Sequence, residues 1–195
     1  TDGYQVYHKL EKETPDQFKV AGCWGHCKRR FSEIVKSSKE GSGKSLLAEE
    51  GVKKISEIYK ADKTIHNETT EEGEILKKRQ DIIGPLVDEF FAWVDRNREW
   101  VDGESAIGKA FTYAKNQEKY LREFLNDENV PLDNNPAERA IRPFCIGKKN
   151  WVMIDTPAGA DSSAVIYSII ETARANNLNM YEYMKYLLEE LPEII

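Results

Sequence analysis

The chain has 195 residues, 40% hydrophobic and 32% charged, with a net charge of −6, which is the composition of a soluble globular protein with a real core. No apolar run approaches the ~20 residues of a membrane helix, no signal-peptide pattern is visible, and three cysteines without a paired framework suit a reducing cytoplasm. The acidic total excludes a surface that is basic throughout, but the charge is uneven. Over residues 19–36, Lys19, Lys28, Arg29, Arg30 and Lys36 stand against Glu33 alone, so a nucleic-acid contact confined to short segments is compatible with the total.

Asp2-Gly3 reads as a turn, residues 4–10 as a short helix and Thr14-Pro15-Asp16 as a loop. Residues 18–22, centred on Val20-Ala21, are a short strand candidate. Over 24–35, Trp24, Phe31, Ile34 and Val35 fall on one helical face, with Lys28, Arg29 and Arg30 off it. Residues 37–45 are rich in Gly and Ser and read as a loop. Leu46, Leu47, Val52, Ile55, Ile58 and Tyr59 recur at helical spacing. Thr69 with Glu72 matches a capping box opening a helix toward Ile83, which Gly84-Pro85 is expected to break or kink. Leu86, Phe90, Phe91, Trp93 and Val94 carry an apolar stripe on toward Trp100. A further helix over about 105–125 is marked by Ile107, Ala110, Phe111, Ala114, Tyr120, Leu121 and Phe124. Such stripes are core patterns rather than sites.

Residues 126–135 form a loop into the most informative stretch of the chain. Asn135 suits a helix N-cap, Pro136 the first helical position, and Glu138, three residues after the cap, can close a capping box. Pro143 is expected to limit how far a straight helix runs. Residues 151–154 are an extended candidate ended by a turn at 155–159, and two helices, about 162–176 and 181–191, close the chain. No internal repeat or low-complexity tract appears.

Glu138 stands among Arg139, Arg142, Lys148 and Lys149, a company that a plain cap does not require. The words around it resemble a known family. Asp133-Asn134-Asn135-Pro136-Ala137-Glu138-Arg139-Ala140-Ile141-Arg142-Pro143 resembles the D-N-N-x-A-E-R-A-I-R-P block of DDE transposases of the insertion sequence sixty-six family. Gly147-Lys148-Lys149-Asn150-Trp151 and Ala164-Val165-Ile166-Tyr167-Ser168-Ile169-Ile170-Glu171-Thr172-Ala173 resemble the blocks that follow it. Upstream, Gly22-Cys23-Trp24-Gly25-His26-Cys27-Lys28-Arg29-Arg30-Phe31 is similar to the family's G-C-W-A-H-x-R-R-x-F, and Thr1-Asp2-Gly3-Tyr4-Gln5-Val6-Tyr7 to its T-D-G-Y-x-x-Y. The departures, Gly25 and Cys27 where Ala is usual, are small replacements.

By this resemblance Asp2 is the second acid of the catalytic triad and Glu138 the third, both metal ligands. The first Asp is expected upstream of residue 1, so the chain alone is expected to be inactive. The implied activity is strand cleavage and strand transfer of an insertion sequence with Mg²⁺ or Mn²⁺. The implied partner is DNA, at element ends and target, bound by a homo-oligomer in the cytoplasm. The implied fold is a ribonuclease H-like α/β domain of which this part is mostly α. Residues 1–36 belong to its core, 37–129 to a helical insertion, and 130–195 to its C-terminal part with the Glu-bearing helix. Lys28, Arg29, Arg30, Arg139, Arg142, Lys148 and Lys149 become candidate phosphate contacts, against a solvated face as the plain alternative. Cys23-x-x-His26 resembles a C-x-x-H pair of several DDE groups, which gives His26 an accessory role, while Cys23 and Trp24 read as packed. A zinc site at Cys23, His26 and Cys27 is disfavoured, because four ligands are needed and no second pair follows. Asp133 fits a loop Asx turn at least as well as a ligand. The competing reading is a non-enzymatic helical DNA-binding or interaction module, a truncated transposase remnant.

Overall fold

The computed structural model describes residues 1–38, 43–69, 71, 73–151 and 156–194, and of 44, 148–151 and 192–194 the backbone alone. The described residues are mostly helical and contain no strand. In chain order the helices are α1 (Gln5–Glu13), α2 (Trp24–Ser37), α3 (Gly43–Glu68), α4 (Glu74–Lys78), α5 (Gly84–Arg98), α6 (Ala106–Leu121), α7 (Asn135–Trp151), α8 (Pro157–Ala175) and α9 (Met180–Ile194). A π-helical turn, Arg79–Ile83, joins α4 to α5, and a 3-10 turn, Glu123–Leu125, follows α6. The chain divides into two compact units, Thr1–Asn134 and Asn135–Ile195.

The first unit is organised by α2. Trp24, Cys27, Phe31 and Ile34, three or four residues apart, are its buried face. They meet Ile55 and Ile58 of α3, Phe90, Trp93 and Val94 of α5, and Phe111 and Ala114 of α6, all buried. The rings pack edge to face or tilted: Trp24 to Phe90 at 5.3 Å, Phe31 to Phe111 at 5.8 Å, Trp93 to Phe111 at 5.1 Å. Each fully buried large side chain contributes about 1.5–3 kcal/mol, and each such ring pair roughly 0.5–1.5 kcal/mol more. Gly51 of α3 makes room for this packing, since a Cβ there would lie 2.7 Å from the Phe31 ring. Ser105 caps α6, accepting the Gly108 N–H at 3.1 Å.

Four sequence expectations meet a different local physics. Residues 18–22 are not a strand, because their backbone groups find other partners: the Val20 N–H donates to Glu11 Oε1 at 2.9 Å and the Gly22 N–H to the Tyr120 carbonyl at 2.8 Å. Thr69 does not cap α4. It is buried, and its hydroxyl accepts from Lys78 Nζ at 2.9 Å; Gly73, at φ +80, stands at the cap, while Glu72 lies outside the described residues. Of the break or kink expected at Gly84-Pro85, the break does not occur, because Pro85 falls in the first turn of α5, directly after the π turn. Pro143 lies inside α7, which continues to Trp151; Arg139, whose carbonyl would lose a partner, is exposed to water. Trp151 is thus helical, and the rest of the extended candidate at 151–154 lies outside the described residues.

In the second unit, Thr156 caps α8 by accepting the Gly159 N–H at 3.0 Å, with Pro157 in its first turn. Asn177, at φ +56, turns the chain, and Asn179 Oδ1 accepts the Tyr181 N–H at 3.0 Å as α9 begins. Phe144 of α7 meets Tyr167 of α8 edge-on at 5.3 Å.

Burial within α2 has a measurable consequence. It pushes the Cys27 thiol up to about 12, with Arg30 opposing and Cys23 adding to it. An unfolded thiol ionises from about pH 8.5, whereas the folded one keeps its proton, so the stability it carries is complete below that pH and is lost as pH rises toward 12, at up to about 1.4 kcal/mol per pH unit. The urea midpoint is expected to fall between pH 8 and pH 10.5, and to fall less in Cys27→Ala; equal falls in the two proteins would contradict this.

Candidate active site

Asp2 opens the chain in a closed turn. Its Oδ1 accepts the Tyr4 N–H at 3.1 Å, the two-residue reach of an Asx turn. Gly3 follows at φ +94, a conformation that costs glycine nothing, and a Cβ there would lie 3.1 Å from Gln117 Nε2. The Asp2 carbonyl accepts the Tyr113 hydroxyl at 2.9 Å. Tyr113 in turn carries the Arg30 guanidinium 4.0 Å from its ring centre. Burial raises the Tyr113 phenol to about 12, so it is a neutral donor at physiological pH. The structure thus brings Asp2 and Arg30 to one aromatic side chain of α6.

Lys28, Arg29 and Arg30 do not form one face. Successive helical residues are about 100° apart, and the flanking cations part accordingly: Lys28 lies 5.5 Å from the Tyr59 ring of α3, and Arg30 lies over Tyr113 of α6. Arg29 is exposed. His26, two residues before Lys28 on α2, is half-buried. Cys23 and Trp24 are packed, and the Trp24 indole N–H donates to the Leu121 carbonyl at 2.8 Å.

Asp133, close to the C-terminal end of the first unit, accepts the Tyr59 hydroxyl at 2.9 Å on Oδ2. Burial, then the Asp133 carboxylate, raises the Tyr59 phenol far above its ordinary value, so it too remains a donor. The Trp24 N–H donates to the neighbouring Leu132 carbonyl at 2.9 Å. The segment before them hangs on Arg79, whose side chain is 1% exposed. Its Nε donates to Asp62 Oδ1 at 2.8 Å, and its Nη1 faces the carbonyls of Phe124, Asp127, Glu128 and Val130 at 2.9–3.2 Å. Neither Tyr113 nor Arg79 belongs to the motif residues singled out in the sequence. For Arg79 a signal exists: it stands four residues from Ile75 and four from Ile83, so a cation occupies an otherwise apolar stripe.

In the second unit, Glu138 is half-buried in the first turn of α7, where the positive helix end favours a carboxylate. Arg139 and Arg142 are exposed, and Arg142, four residues on, shares the face of Glu138. Lys148 and Lys149 are helical, with side chains outside the described residues. Asp2 and Glu138 therefore belong to different units. Among the described residues no three or more of His, Cys, Asp and Glu come together as a metal site, and no helix is long and apolar enough to cross a membrane.

Comparison with known proteins supplies the context for these residues. Among curated proteins the chain is similar to three uncharacterized proteins of Sinorhizobium fredii. It is 29% identical to y4hP over 89% of this chain and 32% of that protein, 25% identical to y4qI over 98% and 35%, and 26% identical to y4jD over 97% and 37%. It thus spans about a third of the length of the curated relatives it matches. No solved structure matches it. The family model described as the transposase IS66 family matches residues 1–162, and that of the IS66 C-terminal element matches 168–194; the chain belongs to the IS66 transposase family.

Proposed function

We propose that the chain is the C-terminal portion of the catalytic domain of a DDE-type DNA transposase, which cleaves the ends of an insertion sequence and joins them to target DNA. The observation that carries this reading is Glu138, in the first turn of α7 with the exposed Arg139 and Arg142 beside it. A carboxylate with guanidinium groups at its side suits a phosphodiester held next to a bound cation. Asp2 and Glu138 would contribute carboxylate oxygens to Mg²⁺ or Mn²⁺, and hard oxygen donors fit those ions. When bound, such ions neutralise charge on the attacking and leaving oxygens. In this reading a further carboxylate, the first Asp of the triad, joins them from outside this chain.

Arg139, Arg142, Lys148, Lys149 and Arg29 hold backbone phosphates in this reading; Lys28 and Arg30 reach DNA from beside their aromatic partners, and His26 is accessory. Residues 1–36 and 130–195 belong to a ribonuclease H-like core and 37–129 to a helical insertion, in a cytoplasmic protein that works on element ends and target as a homo-oligomer. Support for a larger α/β core comes from the second unit, where Ile141, Ile146, Val165, Ile166 and Leu188 are each about half exposed or more. Exposed apolar side chains in this number suit cover by a further element, and a sheet would supply it.

Glutamine serves a capping box as well as glutamate does, so Glu138→Gln separates the two roles of this residue. In the full-length protein it is expected to reduce Mn²⁺-dependent cleavage of an element-end duplex by more than the about 10–100-fold that losing a supporting group costs, with DNA binding and melting temperature unchanged. Cleavage that persists at the wild-type rate would leave Glu138 a cap and favour a non-enzymatic helical module. Arg142→Ala is expected to weaken binding alike on all DNA sequences and to flatten the salt dependence of affinity by about one unit; an unchanged slope, measured by fluorescence anisotropy, would return Arg142 to the solvated face.

A further inference from the structure

The turn at Asp2 is held from outside its own segment. Its hydrogen bond to Tyr113 spans 111 positions of sequence. Tyr113 lies on α6 with its ring half-buried, and its hydroxyl is directed at a backbone carbonyl rather than into the core. Arg30 of α2 stacks on that ring at 4.0 Å, which fixes the ring plane and so the direction of the hydroxyl. Gln117, one turn along α6, packs against Gly3, whose positive φ excludes most other residues. Among the described residues the Asp2 carboxylate meanwhile accepts one hydrogen bond, from the Tyr4 N–H, and it is exposed. A carboxylate has about four lone-pair positions, so one such bond leaves capacity for a cation.

We infer that Tyr113 is a positioning residue for Asp2: its hydroxyl fastens the backbone of the Asp2 turn to α6, and so sets where the carboxylate stands when it takes a divalent cation. This rests on the reading of Asp2 as a metal ligand. In this role Tyr113 acts on the backbone of Asp2 and not as a ligand. Its loss therefore weakens the hold on metal without removing a ligand, because a carboxylate free to swing must be ordered each time a cation binds.

The test uses the full-length protein and Mn²⁺-dependent nicking of a labelled element-end duplex, with Mn²⁺ titrated. Tyr113→Phe removes only the hydroxyl and keeps the ring that Arg30 stacks on. The half-saturating Mn²⁺ concentration is expected to rise about tenfold, excess Mn²⁺ to restore the rate, and DNA affinity measured in Ca²⁺ and the melting temperature to stay at wild-type values. Asp2→Asn is the companion variant and is expected to abolish nicking. If Asp2→Asn abolishes nicking while Tyr113→Phe leaves the Mn²⁺ requirement unchanged, the positioning inference fails and the reading of Asp2 stands. If Asp2→Asn nicks normally, the reading of Asp2 fails and takes the inference with it. A Tyr113→Phe protein with lowered melting temperature and a rate that Mn²⁺ does not restore would make Tyr113 a merely structural residue and overturn the inference.

Discussion

A single buried guanidinium sets the course of the chain out of its helical body. Arg79 has one carboxylate, Asp62, on Nε and four carbonyls around Nη1. A guanidinium taken out of water costs several kcal/mol unless its protons are accepted, so the fold must keep those carbonyls in place. They belong to the connection between α6 and α7, a stretch without regular structure beyond the 3-10 turn. Further bonds fasten the same stretch: Gln80 Nε2 to the Leu125 carbonyl, Lys19 to Glu123, the Gly73 N–H to the Glu128 carboxylate, Tyr59 to Asp133. Loops seldom have so many long-range partners. The π turn that begins at Arg79 places this side chain against the connection, in line with the tendency of such turns to mark functional places.

The same helices that bury the aromatic core also arrange the candidate site. Trp24 anchors α2 with its ring in the core and its indole N–H on the end of α6. That leaves the opposite side of α2 to Lys28, Arg29 and Arg30, and the neighbours on either flank offer aromatic rings to two of them. Tyr59 and Tyr113 are alike in design. Each has a half-buried ring under a cation, a proton kept well beyond neutral pH, and a hydroxyl donated to an aspartate, Asp133 in one case and the backbone of Asp2 in the other. The packing of α2 between α3 and α6 thus reaches two acidic segments of the family's motifs. α7 presents a separate arrangement, with Glu138 in its first turn and two exposed arginines nearby.

Helices were the legible part of this sequence, because their stripes report burial directly: Trp24, Phe31 and Ile34 mark α2, and Phe90, Phe91 and Trp93 mark α5. What local pattern could not report was competition for backbone groups. Residues 18–22 look like a strand by composition, yet Glu11 and the end of α6 capture their N–H groups. Thr69 and Glu72 spell a cap, yet Lys78 takes the Thr69 hydroxyl. Arg79 interrupts an apolar stripe, but its four carbonyl partners come together only when the chain closes. Lys28, Arg29 and Arg30 are consecutive in sequence and divergent in space. Family membership was legible through the words around Glu138 and Trp24. Nothing in their spacing pairs Asp2 with Glu138, 136 positions apart; the wording of the motifs alone does so.

If Arg79 holds the connection, residues 122–133 should behave as part of the helical body and not as a loop. Hydrogen–deuterium exchange of this segment, compared between the wild-type protein and Arg79→Lys, tests that directly. A lysine ammonium cannot reach Asp62 and all four carbonyls together. Leu125 and Asn126, whose N–H groups bond to the carbonyls of Arg122 and Glu123, are expected to be protected in the wild type about as well as α6, and to lose about tenfold or more in Arg79→Lys, corresponding to roughly 1.4 kcal/mol, with the loss confined to 122–133 and α2 and α5 unaffected. Exchange of this segment at the rate of a free peptide in the wild type, or protection untouched by Arg79→Lys, would contradict it.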